Sequence, residues 1–191
     1  MIRQTMVEAL NRQINRELYS AYLYLSMSAW FSNRNLPGFA NWMRVQMQEE
    51  QFHALKFYDY VVARGGRLIM QAIEAPPSEW ESPLAVFEAT YAHEQKVTAM
   101  INDLVELAQK EKDYATYNFL QWYVNEQVEE EANDTGIIER LKMIREETNA
   151  LFMLDRELAT RVFTPPATGG KSAPDQIAPF FRSPHLFGRG L

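Results

Sequence analysis

The chain has 191 residues, of which 47% are hydrophobic and 13% aromatic; this suits one domain with a sizeable core and excludes a disordered chain. Its formal net charge of -6 disfavours a nucleic-acid binder and suits a protein that attracts cations. With no cysteine present, disulfides, thiolate metal ligands and cysteine nucleophiles are all ruled out.

Met1 to Thr5 lead directly into a polar-studded helical pattern, and no signal-peptide core follows. No apolar run approaches the ~18 residues that cross a bilayer. Both features predict a soluble, cytoplasmic protein without membrane contact. A first helix is expected over 5–33, ended by the turn signal NRNLPG at 33–38 with its breakers Pro37 and Gly38. A second covers 38–65 and stops at Gly65-Gly66. Residues 67–81, with Pro76-Pro77 inside, have no helical regularity. Ser82-Pro83 then reads as an N-cap followed by proline at the first helical position, opening a third helix over 83–110. After a break at 110–113, a fourth helix spans 113–145 and a shorter fifth spans 148–161. Residues 163–191 are rich in proline and glycine and predict an extended or disordered tail.

Loop lengths carry the topology. Short first and third connections predict antiparallel hairpins. A helix of ~30 residues is ~45 Å long. An extended segment of ~15 residues reaches ~50 Å. The middle connection can therefore run the length of the bundle and start the third helix at the far end.

Steps of three and four trace a core stripe on each helix. The first reads Leu10, Ile14, Glu17, Ala21, Tyr24, Ser28; the second Phe39, Met43, Gln46, Glu50, His53, Phe57. The third reads Phe87, Tyr91, Glu94, Thr98, Ile101, Val105; the fourth Leu120, Tyr123, Gln127, Glu130, Asp134, Ile137, Leu141. Each is largely apolar and each is interrupted near its middle by a carboxylate. A buried ionised carboxylate costs several kcal/mol unless it is paired, and no stripe supplies a Lys or Arg at that level. Four acids converging at mid-height call for a pair of metal cations.

Oxygen ligands with one imidazole and no sulfur suit iron or manganese and disfavour a structural zinc site. Glu50 and His53, three apart on one helix face, can bind one metal, and Glu17 completes that first position. Glu50 lies near the axis and can bridge to a second position completed by Glu94 and Glu130. The fourth helix has no second histidine three residues after its acids: Glu129 follows Glu126, and Asn133 follows Glu130. The second position is therefore poorer in nitrogen and holds its metal loosely, which favours turnover and storage.

The segments RELYSAYLYL (16–25), QEEQFH (48–53), His93-Glu94 and FLQWYVNEQVEE (119–130) strongly resemble the bacterial non-haem ferritins over about residues 1–162. The resemblance implies an all-α, ferritin-like four-helix bundle with one long crossover, a short fifth helix and an extended C-terminal tail. It also implies iron storage and detoxification through a ferroxidase, with Fe(II) oxidised by O2 or H2O2 at a di-iron site within one subunit. In that family Glu17, Glu50 and His53 would hold the first iron and Glu50, Glu94 and Glu130 the second. Gln127 would sit beside them, and Tyr24 would be a hydrogen-bond partner or electron donor. Glu49, Glu126 and Glu129, with Glu130, would form a third iron site. The assembly would be a homo-oligomeric shell of 24 subunits with mineral inside. No haem is expected, since Gln51 stands where haem-binding relatives carry methionine. The tail departs from the family; its Phe180, Phe181, Arg182, Phe187 and Arg189 suit docking against a neighbouring subunit or another protein, and its composition equally suits a loose chain. Two rival functions are a di-iron peroxidase or oxygenase and a non-catalytic iron buffer.

Overall fold

The computed structural model describes residues 2–144 and 148–165. Its elements are α1 (Gln4–Ser32), α2 (Pro37–Ala63), α3 (Pro83–Glu111), α4 (Tyr114–Ile144) and α5 (Thr148–Leu158), with no strand among the described residues. The expected tail falls outside the described residues from 166 onward.

Two tight reversals make the hairpins. Asn35 takes a left-handed conformation (φ 56°) between α1 and α2, and Lys112 does the same between α3 and α4. Asp113 then caps α4, accepting from Thr116 N at 3.1 Å and from its hydroxyl at 2.7 Å. Arg64, at the end of α2, clamps the same carboxylate with two bonds of 3.1 Å. The break expected over 110–113 thus narrows to Lys112 and Asp113. As predicted, Ser82 caps α3, accepting from Ala85 N at 3.1 Å, with Pro83 next.

The crossover climbs α1 in register. Asn11 donates to Arg67 O and accepts from Ile69 N, both at 2.9 Å. Asn15 donates to Ala72 O at 3.1 Å, and Ser26 to Pro77 O at 2.6 Å. Trp80 finally meets Trp30 edge-on, with ring centroids 6.1 Å apart. Residues 11, 15, 26 and 30 are thus met in ascending order, so the strap runs parallel to α1 and delivers α3 to the far end.

Helix α5 is tied to the start of α2. The Asp155 carboxylate accepts from Gly38 N at 2.8 Å and Phe39 N at 3.0 Å, filling amides that have no partner within the helix. Gly38 permits this approach, since a Cβ there would lie 1.6 Å from the Asp155 carbonyl oxygen. The helix ends at Leu158, short of the expected 161, and the Asn41 amide takes the carbonyls of Leu158 (3.3 Å), Ala159 (3.4 Å) and Arg161 (2.9 Å), which the helix leaves free. Asp155→Ala is expected to lower stability by about 1–2 kcal/mol. Gly38→Ala should cost more, because backbone must move. Denaturant midpoints of both variants test this order.

The core is divided. One cluster, with Trp30, Phe31, Phe39, Trp42, Met43, Phe87, Ile137 and Leu141, fills the end where α3 starts. The other, with Met6, Leu10, Ile14, Phe57, Val61, Ile101, Leu104 and Leu120, fills the opposite end. The expected stripes of α1, α2 and α4 are buried throughout. The stripe of α3 needs correction: Thr90, Val97 and Leu104 are buried, whereas Tyr91, Thr98 and Val105 are only half-buried. Phe87, Glu94 and Ile101 belong to both readings, so the error is a rotation of the face to one side and leaves Glu94 in place.

Candidate metal centre

The polar layer lies between the two apolar clusters, and each of α1 to α4 reaches it at mid-length. Glu17, Glu50, His53, Glu94, Gln127 and Glu130 are all buried. Glu17, Glu50 and His53 come together so that one potential ligand atom from each lies within 4.8 Å of the others. His53 Nδ1 stands 3.5 Å from Glu50 Oε2. Tyr123 and Trp122 wall the imidazole, with centroids 6.0 and 5.4 Å away. Tyr123 also donates to His53 O at 2.9 Å, tying α4 to α2 at this level.

Glu94 is held from two sides. The Tyr24 hydroxyl donates to Oε1, and Gln127 donates to Oε2 at 3.0 Å. Glu130 Oε2 accepts from Gln46 at 2.8 Å, and Glu17 Oε1 accepts from Gln13 at 2.8 Å. Gln13 and Gln46 are positioning residues that the sequence reading gave no role; their only signal was a buried amide one turn from an acid. His93 binds Ser20 Oγ through Nε2 at 2.8 Å and sits edge-on to Tyr24.

Burial is the first cause of every shift in the layer. It raises Glu17 to about 7, an effect that hydrogen bonds with Glu50 and Gln13 partly oppose. It raises Glu50 far above the usual carboxylate range, with the charges of Glu94, Glu17 and Glu130 adding to it. Burial also raises Glu94, against the bonds from Tyr24 and Gln127. Glu130 rises to about 8 through burial and then the charge of Glu94. His53 falls to about 3 through burial and then the Lys56 charge, so its ring is neutral and its lone pair is available to a cation.

Among the described residues no Lys or Arg pairs with Glu17, Glu50, Glu94 or Glu130. Glu17 Oε2, Glu50 Oε2 and Gln46 Oε1 are buried without a hydrogen-bond partner among the described residues. Carboxyl and amide oxygens with spare lone pairs, beside a neutral imidazole, fit a hard divalent cation that displaces the carboxyl protons.

The residues expected at a third site are arranged differently. Glu126 Oε1 lies 3.9 Å from His53 Nε2, and Glu129 is exposed. Burial, then the charges of Glu129 and Glu49, raise Glu126. Glu49 is drawn to Arg161, whose guanidinium bonds Oε2 at 2.7 Å and lies over the Trp42 ring at 4.6 Å. The stripes could not reveal this arginine, which arrives from beyond α5.

The comparisons agree with this architecture. A family model described as a ferritin-like domain matches residues 7–144. The bacterial non-heme ferritin of Staphylococcus saprophyticus is 43% identical over 163 residues, which is 85% of this chain and 98% of that protein. That of Campylobacter jejuni is 44% identical over 156 residues, 82% of this chain and 93% of that one. A solved open pore ferritin from the hyperthermophilic archaeon Archaeoglobus fulgidus is 60% identical, with a TM-score of 0.84 over 85% of this chain and all (100%) of that chain. By its matched family model, its relatives and its five-helix fold, the chain belongs to the ferritin-like family.

Proposed function

We propose that this protein stores iron: it binds Fe(II) in the buried layer, oxidises it to Fe(III) and passes it into a shell of its own copies. The single observation that carries this reading is the buried set Glu17, Glu50, His53, Glu94 and Glu130, none of whose acids forms an ion pair with a Lys or Arg among the described residues. Iron is here the substrate. Glu17, Glu50 and His53 suit the first position, and Glu50, Glu94 and Glu130 the second, with Gln127 steadying Glu94. As Fe(II) binds, the carboxyls give up their protons. Two Fe(II) then lose one electron each. One O2 takes both electrons with two protons and leaves as H2O2; alternatively, one H2O2 takes both with two protons and leaves as two waters. Hard anionic oxygens favour the higher charge of Fe(III) and so favour the oxidised state.

Assembly has support on the outer surface. Tyr22 and Leu25 on α1 and Ile69, Met70 and Ile73 on the strap are all exposed, an apolar face suited to a second copy. The shell we propose has 24 subunits, each built from residues 1–162, with Glu49, Glu126 and Glu129 as stepping stones for iron leaving the pair. No described helix is long and apolar enough to cross a membrane, in keeping with a role in the cytoplasm.

Two measurements test the reading together. Light scattering should give a particle of about 24 chains, and Fe(II) added in air should yield a ferric absorbance that ends in a particle-bound mineral core. A monomer that retained a fixed metal pair without forming mineral would instead favour a di-iron peroxidase or oxygenase.

A further inference from the structure

Asp134 lies one helical turn beyond Glu130 on the same buried face of α4. It is fully buried, at 0% exposure, and neither carboxylate oxygen has a hydrogen-bond partner among the described residues. It makes no ion pair among the described residues. Its acidic neighbours are Glu94, Glu130 and Glu131; the cationic group that acts on it, Arg161, has its guanidinium on Glu49. Nothing in the site described above uses it.

Protonation alone does not satisfy such a group. It removes the charge but leaves a buried O–H and a buried carbonyl unbonded, each at a cost of about 1–3 kcal/mol. A divalent cation satisfies both oxygens together. A neutral oxygen is held on Glu130, the acid one turn away: Gln46 donates its amide to Glu130 at 2.8 Å, and its Oε1 is buried without a hydrogen-bond partner among the described residues. Asp134, Glu130 and Gln46 therefore offer two carboxylates and an amide carbonyl, a ligand set without nitrogen that suits a hard cation.

We propose that Asp134 extends the centre by a further cation position, shared with Glu130 and Gln46 and lying on the side of the layer away from Glu126 and Glu129. This position rests on the reading of the central layer as a metal centre. It differs from the third site expected at Glu49, Glu126 and Glu129 with Glu130, because Asp134 lies the other way along α4 from Glu130. Iron leaving the pair thus has two acidic neighbours to move to, one on each side.

Zinc is the probe, because it does not change oxidation state. Asp134→Asn keeps the shape and removes the anionic oxygen; Asp134→Leu removes both polar atoms and fills the space. Zn(II) is titrated into the assembled, metal-free full chain and its two variants, with stoichiometry read by calorimetry and positions read by anomalous scattering from soaked crystals. The expected result is one Zn(II) fewer per subunit in both variants, with the Glu17–Glu50–His53 zinc retained, and anomalous density beside Asp134 in the parent alone. Equal stoichiometry in parent and variants, with no density at Asp134, overturns the proposal and leaves the central layer standing. A parent that takes up no zinc within the bundle overturns both.

Discussion

Glu50→Ala should slow aerobic Fe(II) oxidation by more than about a hundredfold, beyond what loss of an outer-shell partner produces, while the particle still assembles. Glu50 is raised far above the usual carboxylate range by burial and then by the charges of Glu94, Glu17 and Glu130, which places it at the meeting point of the other acids. Without it, neither cation position keeps a shared anion, and two irons no longer lie side by side to supply an electron pair. His53→Ala should have a smaller but still large effect, since it takes the one nitrogen from the first position and leaves the second intact. Particle size should not change in either variant, because both side chains point into the bundle and are buried. Stopped-flow absorbance after mixing with Fe(II) in air reads the rate, and light scattering reads assembly. Full activity in both variants would remove these residues from the centre.

The second large effect is on stability against pH in metal-free buffer. Glu17 titrates at about 7, Glu130 at about 8 and Asp134 at about 9, all raised by burial. In the unfolded chain such groups titrate near ~4. The folded protein therefore binds more protons than the unfolded chain between those limits, and stability falls as pH rises through 7 to 9. Each carboxyl contributes a slope of up to about 1.4 kcal/mol per pH unit within its window. His53 and His93 act in the opposite direction, because burial lowers them to about 3 and about 4. Their contribution is present above the unfolded histidine value of ~6.5 and is lost as pH falls below it. The metal-free protein should thus melt highest at about pH 4, because three raised carboxyls outweigh two lowered histidines, and its melting temperature should fall on the alkaline side of that maximum towards pH 9. Saturating Zn(II) should flatten that alkaline limb, because cations take the place of protons. An alkaline limb that is already flat without metal would mean that the acids are not buried together.

Much of this was legible from residue spacing. Loop lengths predicted the hairpins and the long strap, since chain reach is a matter of bond geometry. Glu17, Glu50, His53, Glu94 and Glu130 were visible because each breaks an apolar stripe that cannot tolerate a lone charge. The side chains that aim those acids were harder to see. Gln13 and Gln46 are neutral, and a buried amide among apolar residues raises no alarm until its partner is known. The α3 face was rotated because Phe87, Glu94 and Ile101 fit two helical spacings equally. Arg161 was beyond reach of any local pattern: it meets Glu49 only because Asn41 holds the carbonyls at the end of α5 and Asp155 pins that helix to α2. Contacts that depend on how one element docks on another leave no period in the chain.

The division of the core into two greasy blocks with an acidic slab between them has a consequence for laboratory evolution. Each block packs without help from the slab, so swapping Glu17, Glu50, Glu94 and Glu130 for aliphatic side chains would strengthen the metal-free scaffold. A screen for heat resistance in chelator-treated lysate would therefore breed iron-blind variants. Under the proposed function, the same screen run with divalent metal in the medium would preserve the acids, because bound ions would then hold the four helices together.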